Sequence, residues 1–204
     1  MPFTKYRWAN TSKPRQNAIH HSLFKDVIEF LYEKKTQEAD YLLLLFATGA
    51  RKNELAELRV RDVKFLESDN CARISLLLKK TKNSEARTAR IFIQKAEDAI
   101  KRTIEGKDQD DYVFYNHGNI HGIFNFKQIC EELKQQYSLE QFTAHDARHS
   151  FAVFIYKQTK ELNIVKRRLG HKSLKQTQTY LASLDILEED EDDKLDDLLA
   201  QNFA

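Results

Sequence analysis

The sequence predicts a mainly α-helical domain carrying one small antiparallel β-sheet, and three observations lead there. Apolar residues recur at helical spacing through the first quarter of the chain. Two β-rich stretches flank a polar turn near the middle, and two capping-box signatures open helices close to the carboxyl end. With 204 residues the chain is long enough for one full domain with a real core and a small appendage.

Residues 1–16 read as a basic arm or linker, in which Lys5, Arg7, Lys13 and Arg15 are interleaved with Tyr6 and Trp8. The domain proper is expected over 17–184. From about Asn17, Ile19, Leu23, Val27 and Leu31 repeat every four residues beside Phe24 and Ile28, which makes one apolar helical face. Residues 38–48 are apolar nearly all round, so a buried central helix is predicted. Gly49 ends it, because glycine tolerates the left-handed cap. Arg51 stands at the mouth of a short helix through about Leu58. Residues 73–80 and 88–93 read as strands, with 81–86 as the hairpin turn between them. A helix follows over 94–105, stopped by Gly106; 112–114 reads as extended and 122–137 as helical.

Thr143-Ala144-His145-Asp146 has capping-box spacing and opens a helix to about Gln158. His145 and Arg148, three apart, share one face of it. Residues 162–169 form a short helix ended by Gly170. Ser173-Leu174-Lys175-Gln176 is a second capping box, opening the helix that carries Tyr180. The tail over 185–204 is acidic. It reads either as a solvated end or as a helix with Leu187, Leu195, Leu198, Leu199 and Phe203 along one side.

Composition narrows the function classes. An apolar fraction of 41% fits a soluble globular protein, and the longest apolar run, 41–47, is too short to span a bilayer. No charged-then-apolar segment opens the chain, so the expectation is a cytoplasmic protein without membrane contact. Cys71 and Cys130 form neither a metal nor a disulfide pattern and read as free thiols. His20, His21, His117 and His121 have no carboxylate or cysteine at ligand spacing, so no metal site is expected. Net charge is +2, but the tail from Asp185 holds nine acids and one lysine. The remainder carries a net +10, an asymmetry that by itself reads either as a solvated charged surface or as a face for a polyanionic partner.

Six residues together indicate phosphoryl transfer: Arg51, Lys82, His145, Arg148, His171 and Tyr180. A phenol has an ordinary pKa near 10 and is a weak nucleophile unless its surroundings help. A phosphodiester resists attack until its nonbridging oxygens are neutralised. Arginine serves that purpose, because its planar fork holds two oxygens and keeps its charge. Arg51 and Arg148 are the candidate clamp. His145 and His171 either donate hydrogen bonds to the developing phosphorane or move the phenol proton. Lys82 on the hairpin, with Lys80 and Lys79 close behind, is the candidate to protonate the departing oxygen. Each of these residues alone has an ordinary structural explanation; their order and spacing together give the reading its force.

With these residues in view, the chain resembles the tyrosine recombinase/phage integrase family. Residues 48–55, Thr-Gly-Ala-Arg-Lys-Asn-Glu-Leu, match its first box, including the acidic Glu54. Thr81-Lys82 before Arg90-Ile91-Phe92-Ile93 resembles its lysine box. His145-Asp146-Ala147-Arg148-His149-Ser150-Phe151-Ala152 matches its His-x-x-Arg box, and Leu169-Gly170-His171 with Tyr180 nine residues later has its spacing. The resemblance implies the tyrosine recombinase catalytic-domain fold and attack of Tyr180 on double-stranded DNA. The product would be a 3′-phosphotyrosyl link and a free 5′-hydroxyl, formed with no metal or other cofactor. It also implies four protomers on paired sites, an accessory DNA-bending protein in some systems, and association with the nucleoid. Lys52, Lys80, Lys166, Arg167 and Arg168 are the expected DNA contacts. The length matches a short form without the amino-terminal core-binding domain, or an isolated catalytic domain. A type IB topoisomerase-like relaxing enzyme and an idle DNA-binding regulator are the rival readings.

Overall fold

The computed structural model describes residues 21–34, 36–66, 74–79, 86–114, 126–137 and 143–182. Eight helices and three strands are found among them. Helix α1 (His21–Lys34) leads into α2 (Thr36–Thr48), and α3 (Lys52–Ala56) is followed by a single 3-10 turn over Val60–Asp62. Strands β1 (Val63–Phe65), β2 (Ile74–Leu78) and β3 (Arg87–Ile91) then form an antiparallel sheet in the order β1-β2-β3. Helices α4 (Gln94–Ile104), α5 (Phe126–Tyr137), α6 (Ala144–Thr159), α7 (Leu162–Leu169) and α8 (Leu174–Ala182) complete the described chain.

Helix α2 is the axis of the domain. Leu42, Leu44 and Leu45 are fully buried, as its all-round apolar sequence requires, and α1, α4, α6 and β3 pack around it. Its three buried side chains with polar groups are satisfied internally, Thr48 Oγ1 donating to the Leu44 carbonyl at 2.6 Å. Asp40 accepts from Tyr32 at 2.5 Å and from Arg102 at 2.6 Å, and the Tyr41 hydroxyl donates to the Lys52 carbonyl at 2.8 Å. The helix stops at Gly49, whose φ of 60° is left-handed. A Cβ at that position would lie 2.3 Å from a ring carbon of Phe151 and 3.1 Å from Leu169. Glycine is therefore demanded twice, by the turn and by the close approach of α6 and α7.

The sheet is an edge structure. Ile74, Leu76 and Leu78 face the core and Leu77 faces outward, in the alternation expected of a one-sided sheet. The strands are shorter than the sequence predicts, ending at Leu78 and Ile91. Phe92 and Ile93 are apolar but exposed, and Ile93 caps α4 instead of pairing. Strand β1 was not predicted: three residues give too few alternations to read, and it exists because Leu76 and its neighbours offer it an edge. Tyr112, expected to be extended, forms an isolated bridge with Arg59. The predicted helix over 122–137 is described from Phe126 onward.

Helix α6 starts at the predicted capping box. Thr143 Oγ1 accepts from the His145 amide at 3.2 Å, and Asp146 Oδ2 accepts from the Thr143 amide at 2.5 Å. Phe151, Ala152, Val165, Leu169 and Leu181 form a second apolar cluster that joins α6, α7 and α8. Gly170, with φ 66°, ends α7 and turns the chain into His171. These joints bring the end of α7 back against the α2–α3 turn.

Candidate active site

Four of the six candidates, Arg51, Arg148, His171 and Tyr180, converge where α3, α6, α7 and α8 meet, with His145 at the rim. Arg51 occupies the N-cap of α3, and its backbone N–H donates to Glu54 Oε2 at 2.9 Å while its guanidinium donates to Oε1 at 2.8 Å. Glu54 is buried and faces two further guanidinium groups, Arg87 at 3.4 Å and Arg148 at 4.0 Å. One carboxylate thus stands among three cations, which leaves an uncompensated positive field. Such a field attracts an anion.

Arg148 is 1% exposed, an unusual location for a charged side chain. It donates to the Gly49 carbonyl at 2.5 Å and the Leu169 carbonyl at 2.9 Å, so its fork is pinned by two turns about 120 positions apart in sequence. Burial and the neighbouring charge of Arg51 lower its pKa to about 10, opposed by Tyr180 and Glu54; it remains a cation at neutral pH.

Arg148 also fixes the chemistry of His171. Its Nη2 lies 3.2 Å from His171 Nε2, and a guanidinium can only donate, so Nε2 is an acceptor and the imidazole is neutral. The proton then resides on Nδ1, which donates to the buried Thr177 hydroxyl at 2.9 Å. Burial, followed by the charges of Arg148, Arg51 and Arg87, pushes the His171 pKa down to about 4.

Tyr180 lies on α8 with its ring enclosed by imidazoles. His149 stacks on it at 4.9 Å between centroids with planes 13° apart, His171 meets it edge-on at 5.4 Å, and His145 does so at 6.4 Å. Burial pushes the phenol up to about 12, against the charge and a hydrogen bond of Arg148 and the charge of Arg51. Burial lowers the His145 pKa, aided by Arg148 and Arg51, so this ring too is a neutral proton acceptor near pH 7. His149 is pushed down to about 4 by burial, His145 and Arg148.

Lys82 and Lys80 lie outside the described residues. Lys79, at the end of β2, is engaged with Asp62 at 3.1 Å. Of the expected DNA contacts, Lys52 and Arg167 are exposed and Lys166 and Arg168 are half-buried. Among the described residues no cluster of His, Cys, Asp and Glu could hold a metal ion.

Three participants carry no mark in the sequence pattern that singles them out. Arg87 donates to the Thr48 and Gly49 carbonyls, each at 3.3 Å, and burial lowers its pKa to about 10. Its one available signal is its phase, since it shares a strand face with buried Ala89 and Ile91. Thr177 and His149 give no separate signal: one matters only because it accepts from His171, the other only because it stacks on the phenol.

The fold is that of the tyrosine recombinase catalytic domain, and the comparisons agree on its kinship. The phage integrase family model matches residues 19–185, and the chain belongs to that family. It is 28% identical over 175 residues to a tyrosine recombinase of Pseudothermotoga lettingae, covering 85% of this chain and 59% of that protein. It is 30% identical to tyrosine recombinase XerC of a Roseiflexus species, covering 72% of this chain and 48% of that protein. The chain thus spans about half the length of these curated relatives. The fold superimposes on XerH recombinase bound to its difH substrate, with a TM-score of 0.65 at 20% identity over 81% of this chain and 50% of that one. It also superimposes on the catalytic domain of bacteriophage HP1 integrase, with a TM-score of 0.59 at 16% identity over 81% of this chain and 86% of that one.

Proposed function

We propose that this chain catalyses site-specific DNA recombination by metal-free transesterification through Tyr180. The observation that carries the reading is the packing of the Tyr180 ring against three neutral imidazoles, within reach of the pinned guanidinium of Arg148. The phenol oxygen attacks a backbone phosphorus. The phosphorus–oxygen bond to the 5′ oxygen breaks, leaving a 3′-phosphotyrosyl link and a 5′-hydroxyl. The phenol proton passes to an imidazole, for which His145 is suited by its neutrality and its place at the rim beside the Tyr180 ring. Arg51 and Arg148 hold the nonbridging oxygens, His171 steadies Arg148, and Lys82 protonates the leaving oxygen. Attack by a second strand's 5′-hydroxyl reverses the step and rejoins the DNA.

The proximity of Tyr180 to Arg148 of its own chain favours attack within one protomer. Double-stranded DNA is the partner, with Lys52, Lys80, Lys166, Arg167 and Arg168 as backbone contacts. Residues 17–184 form the catalytic domain, with 1–16 as a basic arm and 185–204 as an acidic tail. Four protomers acting on paired sites, with an accessory bending protein where the site requires it, complete the reaction at the nucleoid. No helix among the described residues is long and apolar enough to cross a membrane.

Suicide substrates built from DNA flanking the gene test this function. The wild-type chain is expected to form a detergent-stable protein–DNA adduct that Tyr180→Phe abolishes. An adduct that persists in Tyr180→Phe would assign the nucleophile elsewhere, and failure to exchange strands between two site-bearing DNAs would favour a relaxing enzyme.

A further inference from the structure

Where β3, α7 and the end of α2 meet there is a second cavity, of about 370 Å³, whose walls do not include Tyr180 or the histidines. Four guanidinium-bearing residues line it, Arg87, Arg90, Arg167 and Arg168, together with Thr48 and Thr88, and no carboxylate does. Arg87 is engaged by Glu54 and by two carbonyls. The side chains of Arg90, Arg167 and Arg168 make no ion pair or hydrogen bond among the described residues. Four like charges held around one space repel one another, and an anion placed between them removes that penalty. The planar fork of arginine suits phosphate oxygens in particular, which it can hold in pairs.

The cavity is joined to the tyrosine pocket through a shared wall. Arg87 donates to the Gly49 carbonyl, which also accepts from Arg148, and both guanidiniums face Glu54. Arg90, Arg167 and Arg168, which have no carboxylate partner among the described residues, thus lie beyond the wall that Arg87 shares with Arg148. We propose that this cavity grips a phosphate of the bound DNA other than the one Tyr180 attacks, and so sets the register of the attacked bond. The inference rests on the function proposed above. A backbone grip of this kind reads no bases; it fixes where along the strand the nucleophile is aimed.

The adjoining apolar cavity, of about 170 Å³, shares Arg90 and Arg168 and is walled by Phe46, Phe92, Phe151 and Phe154. It makes an acidic, apolar peptide the rival occupant.

The test uses the full chain in a Tyr180→Phe background, so that binding is read without chemistry, and compares it with the added triple variant Arg90→Gln, Arg167→Gln, Arg168→Gln. The slope of log affinity against log salt is expected to become shallower by about one unit for each phosphate that the variant no longer neutralises. In parallel, methylphosphonate substitution neutralises one backbone phosphate at a time. One position away from the cleaved bond should weaken the parent protein and leave the triple variant indifferent. Equal slopes, or an identical pattern of sensitive positions, would overturn the proposal, as would a triple variant that instead loses only its affinity for a labelled acidic peptide. A matching thermal melt excludes misfolding, and exposed Arg167→Gln alone serves if the triple variant melts early. An adduct formed by the wild type alongside unchanged slopes removes the second grip and keeps the function. No adduct at all removes the function.

Discussion

At the scale of single residues, the site is governed by groups that can only donate. Arg148 has no acceptor, so it dictates the tautomer of His171, and Thr177 receives the proton that remains. Replacing Thr177 with Val leaves a buried N–H without an acceptor, at a cost of roughly 1–3 kcal/mol. The ring is then free to turn. Single-turnover adduct formation by Thr177→Val should slow about tenfold or more, while DNA affinity in filter binding stays within about twofold. Matched losses of rate and affinity would make Thr177 a folding residue instead. Arg51, Arg148, His171 and Tyr180 were legible in the sequence as a candidate set that packs together, because their spacing is characteristic. Arg87, His149 and Thr177 were not, because each acquires its role from a neighbour that only packing supplies.

Among the elements, the decisive joint is the turn from α2 to α3. Gly49 gives its conformation to the turn, its missing side chain to Phe151, and its carbonyl to both Arg87 and Arg148. Gly49→Ala should therefore destabilise the protein by roughly 2–5 kcal/mol, combining left-handed strain with overpacking. Urea denaturation will show this as a lower midpoint. Adding Phe151→Leu should recover part of the loss, because the two sites collide directly; a purely additive double variant would place the strain elsewhere. The longer helices were readable from the sequence because they repeat their apolar spacing and because Gly49, Gly106 and Gly170 mark three of the helix ends. The sheet was harder. Apolar Phe92 and Ile93 suggested a longer β3, yet both are exposed at its exit, and β1 is too short to carry a pattern of its own.

Taken as a whole, the molecule holds several ionisable groups in unfavourable states and should show it under acid. His149 and His171 sit near pKa 4 when folded, against about 6.5 in an unfolded chain. Between those values the unfolded chain binds protons that the folded one refuses, so stability falls as pH drops from about 6.5 toward 4. Above about 7 these two groups give no pH dependence. Thermal melts across that range should show the decline, and the double variant His149→Phe, His171→Asn should flatten it. An unchanged slope in that variant would assign acid sensitivity to His145 and the carboxylates.

The pinning of Arg148 to carbonyls at both Gly49 and Leu169 has a consequence for how the protein is born. A nascent chain emerging from the ribosome displays its cationic groups long before the phenol, and the fork of Arg148 has no second anchor until α7 is made. The chemistry proposed for Tyr180 therefore cannot begin until the last described helix docks.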